Sequence, residues 1–392
     1  MNRIMRKMFE SETSAGILLL IATIFALLFQ NLNFLHNIYH KFLEIPFMIG
    51  IWDFSLNKPL EWWVNDFLMA IFFFGIGLEL KREMIEGELK HPSQVMLPSI
   101  AAVGGVITPA FIYSVINWGD SFAMRGWAIP TATDIAFAVG VLALLGKRVP
   151  TSLKIFILTL AIMDDLCAIV IIALFYGSNL QFLYFGLAGI TIVLMFILNR
   201  LDVDKKWIFI VLSLFLWVFV LNSGVHATIA GVIAGFLIPI YNKKSDISML
   251  KFFENFLRIP VNFMILPLFA FVNAGVDIRE MLVSELFTPV ALGISCGLFF
   301  GKQIGVFLFS FVMIKLKLAN MPKDGNWIQL YGIAILCGIG FTMALFVDNL
   351  AFVDDPNKYF HFDKLSILIG SLISGIVGYI FLRIFGNKIQ KY

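Results

Sequence analysis

Apolar runs long enough to cross a bilayer follow one another along almost the whole chain. A helix needs about 20 such residues to span the hydrocarbon core. Hydrophobic residues make up 60% of the 392 residues and charged residues only 14%, against about 25% in an ordinary soluble domain. A soluble fold of this size could not bury so much apolar surface. The sequence therefore predicts an integral membrane protein with lipid around it.

The spans are expected to be helices, because lipid offers the backbone no hydrogen bonds. A barrel would show segments of about ten residues with alternating polarity, whereas these runs are continuous. We predict an all-α membrane protein of about 12 transmembrane helices, forming one domain over 1–392. The candidate spans are 12–28, 60–80, 95–116, 124–145, 152–176, 182–199, 207–220, 225–240, 259–276, 288–314, 327–347 and 365–385.

Lysine and arginine are distributed unequally between the two sides of this predicted bundle. The amino terminus and every second connection hold most of the 29 basic residues, and the opposite loops hold few. Because basic residues concentrate on the cytoplasmic side, both termini are expected in the cytoplasm. The charge follows topology and forms no patch for nucleic acid, so no nucleic-acid partner is expected.

The first external loop carries two short β-prone stretches between Phe47 and Leu56. This pattern predicts a small hairpin. An exposed edge strand often pairs with a second protomer, which makes the hairpin a candidate dimer contact.

Ionisable side chains inside the spans cost about 2.5 to 3.5 kcal/mol each to insert, so they indicate function. Asp164 and Asp165 lie at the centre of the run LTLAIMDDLCAIVIIALFY. Their side chains point to different sides, since successive helix residues are about 100° apart. Burial and mutual repulsion favour the binding of a proton. A structural role for one of them, as partner of a hydroxyl or of Lys302, is the alternative. Asp66 and Asp348 are candidates that face outward.

Two spans carry helix-breaking residues near their middle. Pro130 interrupts the fourth span just before Asp134, in WAIPTATDIAFAVG. Gly338 and Gly340 interrupt the eleventh span. Broken helices expose carbonyls and helix ends that coordinate ions. A proline kink and a close helix contact are the simpler alternative.

Each interrupted span is the middle one of three, within 95–176 and 288–385. The two sets enter the membrane from opposite sides in the predicted topology. That is the pattern of an inverted repeat.

Lys302 is the only cation predicted in the membrane centre. It would pair with an aspartate when no ion is bound and so keep the empty site neutral. A snorkelling lysine is the alternative. Glu79, Arg82 and Glu254 lie at span ends and suit either ion-paired termini or regulation. His226 suits a pH sensor or a hydrogen-bonded structural histidine.

Carboxylate, hydroxyl and carbonyl oxygens are ligands for hard cations such as Na+ or Li+. If the same carboxylates bind either a cation or protons, coupled exchange follows. More than one H+ per cation would move net charge, worth about 2.3 kcal/mol per 100 mV. The sequence thus favours a secondary active transporter that is no enzyme and needs no cofactor.

Seven stretches resemble the NhaA family of bacterial sodium/proton antiporters, in the same order and over most of the chain. The resemblance implies twelve helices with crossed, broken fourth and eleventh helices, an inner-membrane location and homodimers. It also implies Na+ or Li+ export in exchange for external H+, serving pH and sodium homeostasis. The stretches are FFGIGLELKRE, PTATDIAFAVG, LAIMDDLCAIVIIALFY, SGVHATIAGV, LPLFAFVNAGV, GLFFGKQIGVF and GIGFTMALF.

The resemblance assigns roles by position. Two residues depart from the family pattern: Cys167 stands where a glycine is expected, and Ala344 where a serine is common, which bears on turnover and ion preference. The matching residues are Asp164 and Asp165 as the ion-binding pair, Thr133 and Asp134 at the helix break, Lys302 as the central lysine, and Glu79, Arg82, Glu254 and His226 in the pH response.

Three other functions remain open on the sequence. A sodium-coupled symporter would need further polar residues for its solute at midplane. An intramembrane aspartyl protease needs two aspartates facing each other from separate helices, whereas Asp164 and Asp165 are adjacent. A structural scaffold is opposed only by the cost of the buried charges.

Overall fold

A computed structural model describes residues 12–51, 54–90, 92–177, 180–240, 248–279, 281–355, 359 and 362–386. These residues are mainly helical, with one two-stranded sheet. The helices are α1 Glu12–Asn31, α2 Asn33–Leu43, α3 Leu60–Ile85, α4 Pro92–Ile116, α5 Ile135–Leu145, α6 Thr151–Phe175, α7 Phe182–Arg200, α8 Lys206–Ser223, α9 Thr228–Leu237, α10 Met249–Asn273, α11 Pro289–Lys315, α12 Trp327–Leu336, α13 Phe341–Ala351 and α14 Phe362–Phe385. The strands are β1 Pro46–Ile51 and β2 Phe54–Pro59.

Short segments of other helix types interrupt this set. Turns of π-helix lie inside α3, α10 and α11, at Trp63–Leu68, Val261–Ile265 and Gly297–Gly301. The 3-10 helices are Glu88–Lys90, Ala123–Thr131, Gly146–Arg148 and Val283–Phe287. Because π-helical turns are rare and often lie at functional sites, the one directly before Lys302 is of particular interest.

Ten helices among the described residues are long and apolar enough to cross a membrane, or eleven if α12 and α13 form one span. The protein is therefore a multi-pass, all-α membrane protein. The predicted span 225–240 contains a helix of only 10 residues, α9, so the count of twelve stays a prediction, as do the cytoplasmic termini. The helix that contains the predicted span 259–276 begins earlier, at Met249. Its first turns are amphipathic rather than continuously apolar, so the sequence did not indicate them as part of a span.

The predicted hairpin in the first external loop is confirmed. Strands β1 and β2 pair antiparallel, with Pro46 opposite Pro59 and Ile51 opposite Phe54. A role of this hairpin in dimer formation remains a prediction.

The chain divides into two compact units. The first contains the described residues of Met1–Leu35, His91–Ala168 and Asn273–Tyr392, and the second those of His36–Lys90 and Ile169–Val272. All four charged residues predicted near mid-membrane belong to the first unit, whereas the four pH-response candidates belong to the second.

Helices α4 and α11 of the first unit cross at two glycines. A Cβ atom on Gly305 would lie 2.1 Å from the carbonyl oxygen of Gly104, and one on Gly104 would lie 2.5 Å from that of Gly305. Only glycine allows two backbones to approach so closely. Because α4 and α11 open the two predicted repeats, this reciprocal contact agrees with the inverted repeat, which itself stays a prediction.

The crossing predicts the effect of a single methyl group. Gly305→Ala should lower the free energy of unfolding by about 1 to 3 kcal/mol, since the helices must separate to admit the side chain. Gly189→Ala in α7 is the matched control, because nothing lies within 4 Å of its added Cβ. Thermal unfolding of both variants in detergent measures the difference, and equal melting temperatures would contradict the tight crossing.

Candidate ion-binding site

The fourth predicted span is broken where the sequence indicates. The 3-10 helix Ala123–Thr131 ends in extended backbone at Ala132, and α5 begins only after Asp134. Asp134 is the N-cap of α5, because its Oδ1 accepts the Phe137 N–H at 3.0 Å. The break predicted just before Asp134 is thus confirmed.

The eleventh predicted span is broken as well. Helix α12 ends at Leu336 and α13 begins at Phe341, with a bend of 46° between them. Phe341 has a φ of 23°, a value that non-glycine residues rarely adopt. The hydroxyl of Ser371 on α14 accepts the N–H groups of Gly340 and Phe341, at 3.2 and 3.0 Å. Ser371 therefore satisfies the backbone N–H groups of the buried turn that breaks the helix.

The two interruptions contact each other through Asp134, whose residue is only 2% exposed. Its backbone N–H donates to the carbonyl of Ile339 at 2.6 Å. Its Oδ2 accepts both the N–H and the hydroxyl of Thr342, at 3.1 and 2.5 Å. One carboxylate thus serves the amino ends of α5 and α13, where helix dipoles favour negative charge.

A second contact between the interruptions lies one residue away. The hydroxyl of Thr133 donates to the carbonyl oxygen of Cys337 at 2.9 Å. Thr133 is 1% exposed and also interacts with the carboxylate of Asp164. The crossing therefore brings the broken fourth span next to the centre of α6.

Asp164 and Lys302 form a buried ion pair. The Nζ of Lys302 donates to Asp164 Oδ2 at 2.7 Å, with the two side chains 0% and 1% exposed. Lys302 therefore does not snorkel. It follows directly on the π-helical turn Gly297–Gly301, which adds a residue to the turn and rotates the following side chains about the helix axis.

The second oxygen of Asp164 is not satisfied by the described residues. Its Oδ1 is buried and has no hydrogen-bond partner among them. A buried acceptor of this kind normally costs about 1 to 3 kcal/mol, more when charged. Asp165 follows on the next helix position and is 4% exposed. The arrangement therefore offers hard oxygen atoms to a small cation or to protons.

The charge of the site, like its unpaired oxygen, favours the binding of a small cation or protons. Asp164 and Asp165 are adjacent buried carboxylates, and Lys302 pairs with the first of them. Buried negative charge is costly, and a bound proton or cation lowers that cost. Within the described parts of the chain, no group of three or more His, Cys, Asp or Glu side chains is arranged to hold a metal ion.

Three of the four pH-response candidates meet in the second unit. Arg82 on α3 forms an ion pair with Glu254 on α10. It also contacts Glu83 at 2.7 Å and Glu79 at 4.0 Å. Arg82 thus joins acidic residues from two helices.

His226 does not join this cluster. Helices α3 and α9 run in the same direction, because Gly231 packs on Ala70 and Gly235 packs on Phe74. His226, just before α9, therefore lies near the start of α3, whereas Arg82 is near its end. Its Nδ1 is 2.9 Å from the hydroxyl of Thr228.

Residues that the sequence analysis did not select complete the crossing. Thr342 follows the broken turn directly, so its hydroxyl at a helix start was a usable signal. Ser371 gave no such signal, because it lies on a different helix, and only the packing of that helix brings its hydroxyl to the two N–H groups.

The chain is similar to known antiporter sequences over almost its whole length. The sequence profile of the family described as Na+/H+ antiporter 1 matches residues 6–382. The chain is 61% identical to Na(+)/H(+) antiporter NhaA 1 of Campylobacter hominis, over 98% of this chain and 97% of that one. It is 56% identical to Na(+)/H(+) antiporter NhaA 2 of Campylobacter fetus subsp. fetus, over 97% and 96%. Na(+)/H(+) antiporter NhaA of Sulfurovum sp. is 55% identical over 97% of each chain.

The crossing depends on a hydroxyl that can be removed without a change of shape. Thr342→Val should lower the free energy of unfolding by about 1 to 3 kcal/mol, because Asp134 loses a buried donor. In the control Thr191→Val, the lost hydroxyl bonds only the Leu187 carbonyl of its own helix. Thermal unfolding compares the two, and an effect no larger than that of the control would contradict the role of Thr342.

Proposed function

The chain belongs to the Na+/H+ antiporter 1 family, and we propose that it exports Na+, or Li+, in exchange for external H+ across the bacterial inner membrane. The observation that carries the proposal is the buried pair of Asp164 and Lys302 with its open second oxygen. In the proposal, Asp164 and Asp165 are the ligands that bind either the cation or protons. The exchange would serve pH and sodium homeostasis.

Coupling follows from competition for the same oxygen atoms. With no ion bound, Lys302 neutralises Asp164 at 2.7 Å. A bound Na+ would take over this role and release the lysine, while protons on the carboxylates would exclude Na+. Each loaded state is then close to neutral, which keeps down the cost of charge in the membrane. A carboxylate that releases one ion must take up the other to stay neutral in the membrane. One ion therefore moves only in exchange for the other.

The crossed interruptions would supply the remaining ligands. Thr133 and Asp134 stand at the break of the fourth span, next to the carbonyls of Cys337 and Ile339. Hydroxyl and carbonyl oxygens suit Na+ and Li+. Asp134 would mainly hold the two helix ends in place, since both its oxygens accept hydrogen bonds.

We further propose that the exchange is electrogenic. More carboxylates than cations in the site allow more than one H+ per Na+. Two protons against one Na+ would move one net charge, so the membrane potential would add about 2.3 kcal/mol per 100 mV to export.

Regulation by pH and assembly are the outer parts of the proposal. The cluster around Arg82 joins α3 to α10, so a change in its charge would alter the contact between these helices. The exposed hairpin of β1 and β2 would contact a second copy to form a homodimer.

Neutral substitution of either aspartate should abolish exchange. Asp164→Asn and Asp165→Asn retain the size of the side chain but no longer bind Na+ or release a proton. In acid-loaded everted vesicles with a pH-sensitive dye, added Na+ should then cause no alkalinisation. Asp204→Asn, at an exposed acidic residue, should exchange like the parent. Full exchange by both central variants would refute the site.

Substitution of Glu254 should move the pH profile of exchange and leave its maximum rate unchanged. Glu254→Gln removes the charge that pairs with Arg82, so the pH profile should move by about half a unit or more. Glu86→Gln is the control, because it removes a neighbouring ion pair with Lys251 and leaves that of Arg82 intact. Identical profiles for Glu254→Gln and the parent would reject a role in pH response.

A further inference from the structure

A second pair of buried carboxylates lies outside the central site. Asp348 on α13 and Asp363 on α14 are each 2% exposed, and their charges interact. Asp348 is six residues beyond Thr342, or about 9 Å along the helix axis. In the predicted topology, both residues lie toward the external ends of their helices.

Burial disfavours the anion of Asp363, whereas its position in the helix, a backbone N–H and Lys364 favour it. It lies in the first turn of α14, where the helix dipole favours negative charge. Its Oδ1 accepts the N–H of Lys364 at 2.7 Å, and the charge of Lys364 also attracts it. Burial and the negative charges of Asp120, Asp363 and Asp355 raise the pKa of the nearby Tyr359 to about 12.

The surroundings of Asp348 disfavour its anion. It lies near the carboxyl end of α13, where the dipole disfavours a negative charge. Its buried Oδ1 has no hydrogen-bond partner among the described residues. A proton or a cation on this oxygen would remove the cost of the unpaired acceptor.

The helices around the pair add little compensating charge. From α14 come Asp363 and Lys364, which both act on Asp348. The 3-10 helix Ala123–Thr131, packed on α13, carries Arg125, which is paired with Asp354. Helices α5 and α12 have no charged residue, and nor does the part of α11 at Pro289–Gly301. The 3-10 helix Val283–Phe287 brings only Glu285, whose Oε2 accepts the N–H of Leu282.

Among the residues that the structure describes, these two buried carboxylates thus have one lysine, Lys364, acting on them. The remaining negative charge would cost several kcal/mol if nothing offset it. We propose that Asp348 and Asp363 form a second cation site, the outer site, which holds either one proton or one monovalent cation such as Na+. Binding of Na+ breaks the O–H bond of the Asp348 acid, releases one H+ to solution and leaves Na+ on the carboxylate. The outer site does not rest on the role proposed for Asp164.

Proton release on addition of Na+ tests the outer site directly. Purified protein in weakly buffered detergent solution receives NaCl, with choline chloride as the salt control, and a pH-sensitive dye reports released H+. The Asp164→Asn/Asp165→Asn background silences the central site. It should release close to one H+ per chain, and adding Asp348→Asn should reduce this to none. Adding Asp354→Asn instead, at an exposed acid paired with Arg125, should leave the release unchanged.

A second variant keeps the test open if Asp348→Asn fails to fold. Asp363→Asn in the same background removes the neighbouring anion and should raise the Na+ concentration for half-maximal release about tenfold. Gel filtration and thermal unfolding check the fold of each variant.

The result separates the outer site from the central one. No Na+-dependent release from the background variant, with release from the parent, overturns the outer site and supports the central one. Equal release from both supports the outer site and counts against Asp164 and Asp165. Release unchanged by both Asp348→Asn and Asp363→Asn also overturns the outer site.

Discussion

The cost of holding charge away from water governs the centre of this protein. Asp164 and Lys302 are almost fully buried and 2.7 Å apart, so each is tolerable only because of the other. Removing one without a replacement leaves a charge that lipid and protein cannot solvate. In the proposed exchange, small cations and protons take the place of the lysine beside Asp164.

The broken helices provide this site with polar groups at membrane depth. Continuous helices would use every backbone N–H and C=O internally. Here Asp134 accepts backbone N–H groups at the amino ends of α5 and α13. Ser371 accepts those of the buried turn between α12 and α13. The interruptions thus place the carbonyls of Cys337 and Ile339 and the hydroxyl of Thr133 next to the centre of α6. Asp348 likewise has a buried oxygen, Oδ1, that receives no hydrogen bond from the described residues.

Much of this could be predicted from sequence, because apolar runs, prolines and glycines act locally. They predicted most of the spans and both interruptions, and β-prone stretches predicted the hairpin. The partner of Lys302 could not be chosen, since the π-helical turn Gly297–Gly301 shifts the register of its helix and nothing in the sequence announces that shift. Ser371 and the separation of His226 from Arg82 depend on which helices pack together. Helix α9 is shorter than the predicted span 225–240, because it packs against α3 and need not match the thickness of the bilayer.

The competition between Na+ and protons is the central claim, and the apparent KM for Na+ as a function of pH tests it. In proteoliposomes, KM should rise about tenfold per pH unit at low pH if one proton competes, and more if two do, with the maximum rate unchanged. That result would mean that both ions use the same oxygen atoms. A constant KM with a falling maximum rate would mean that protons act elsewhere, and would contradict exchange by competition at Asp164 and Asp165.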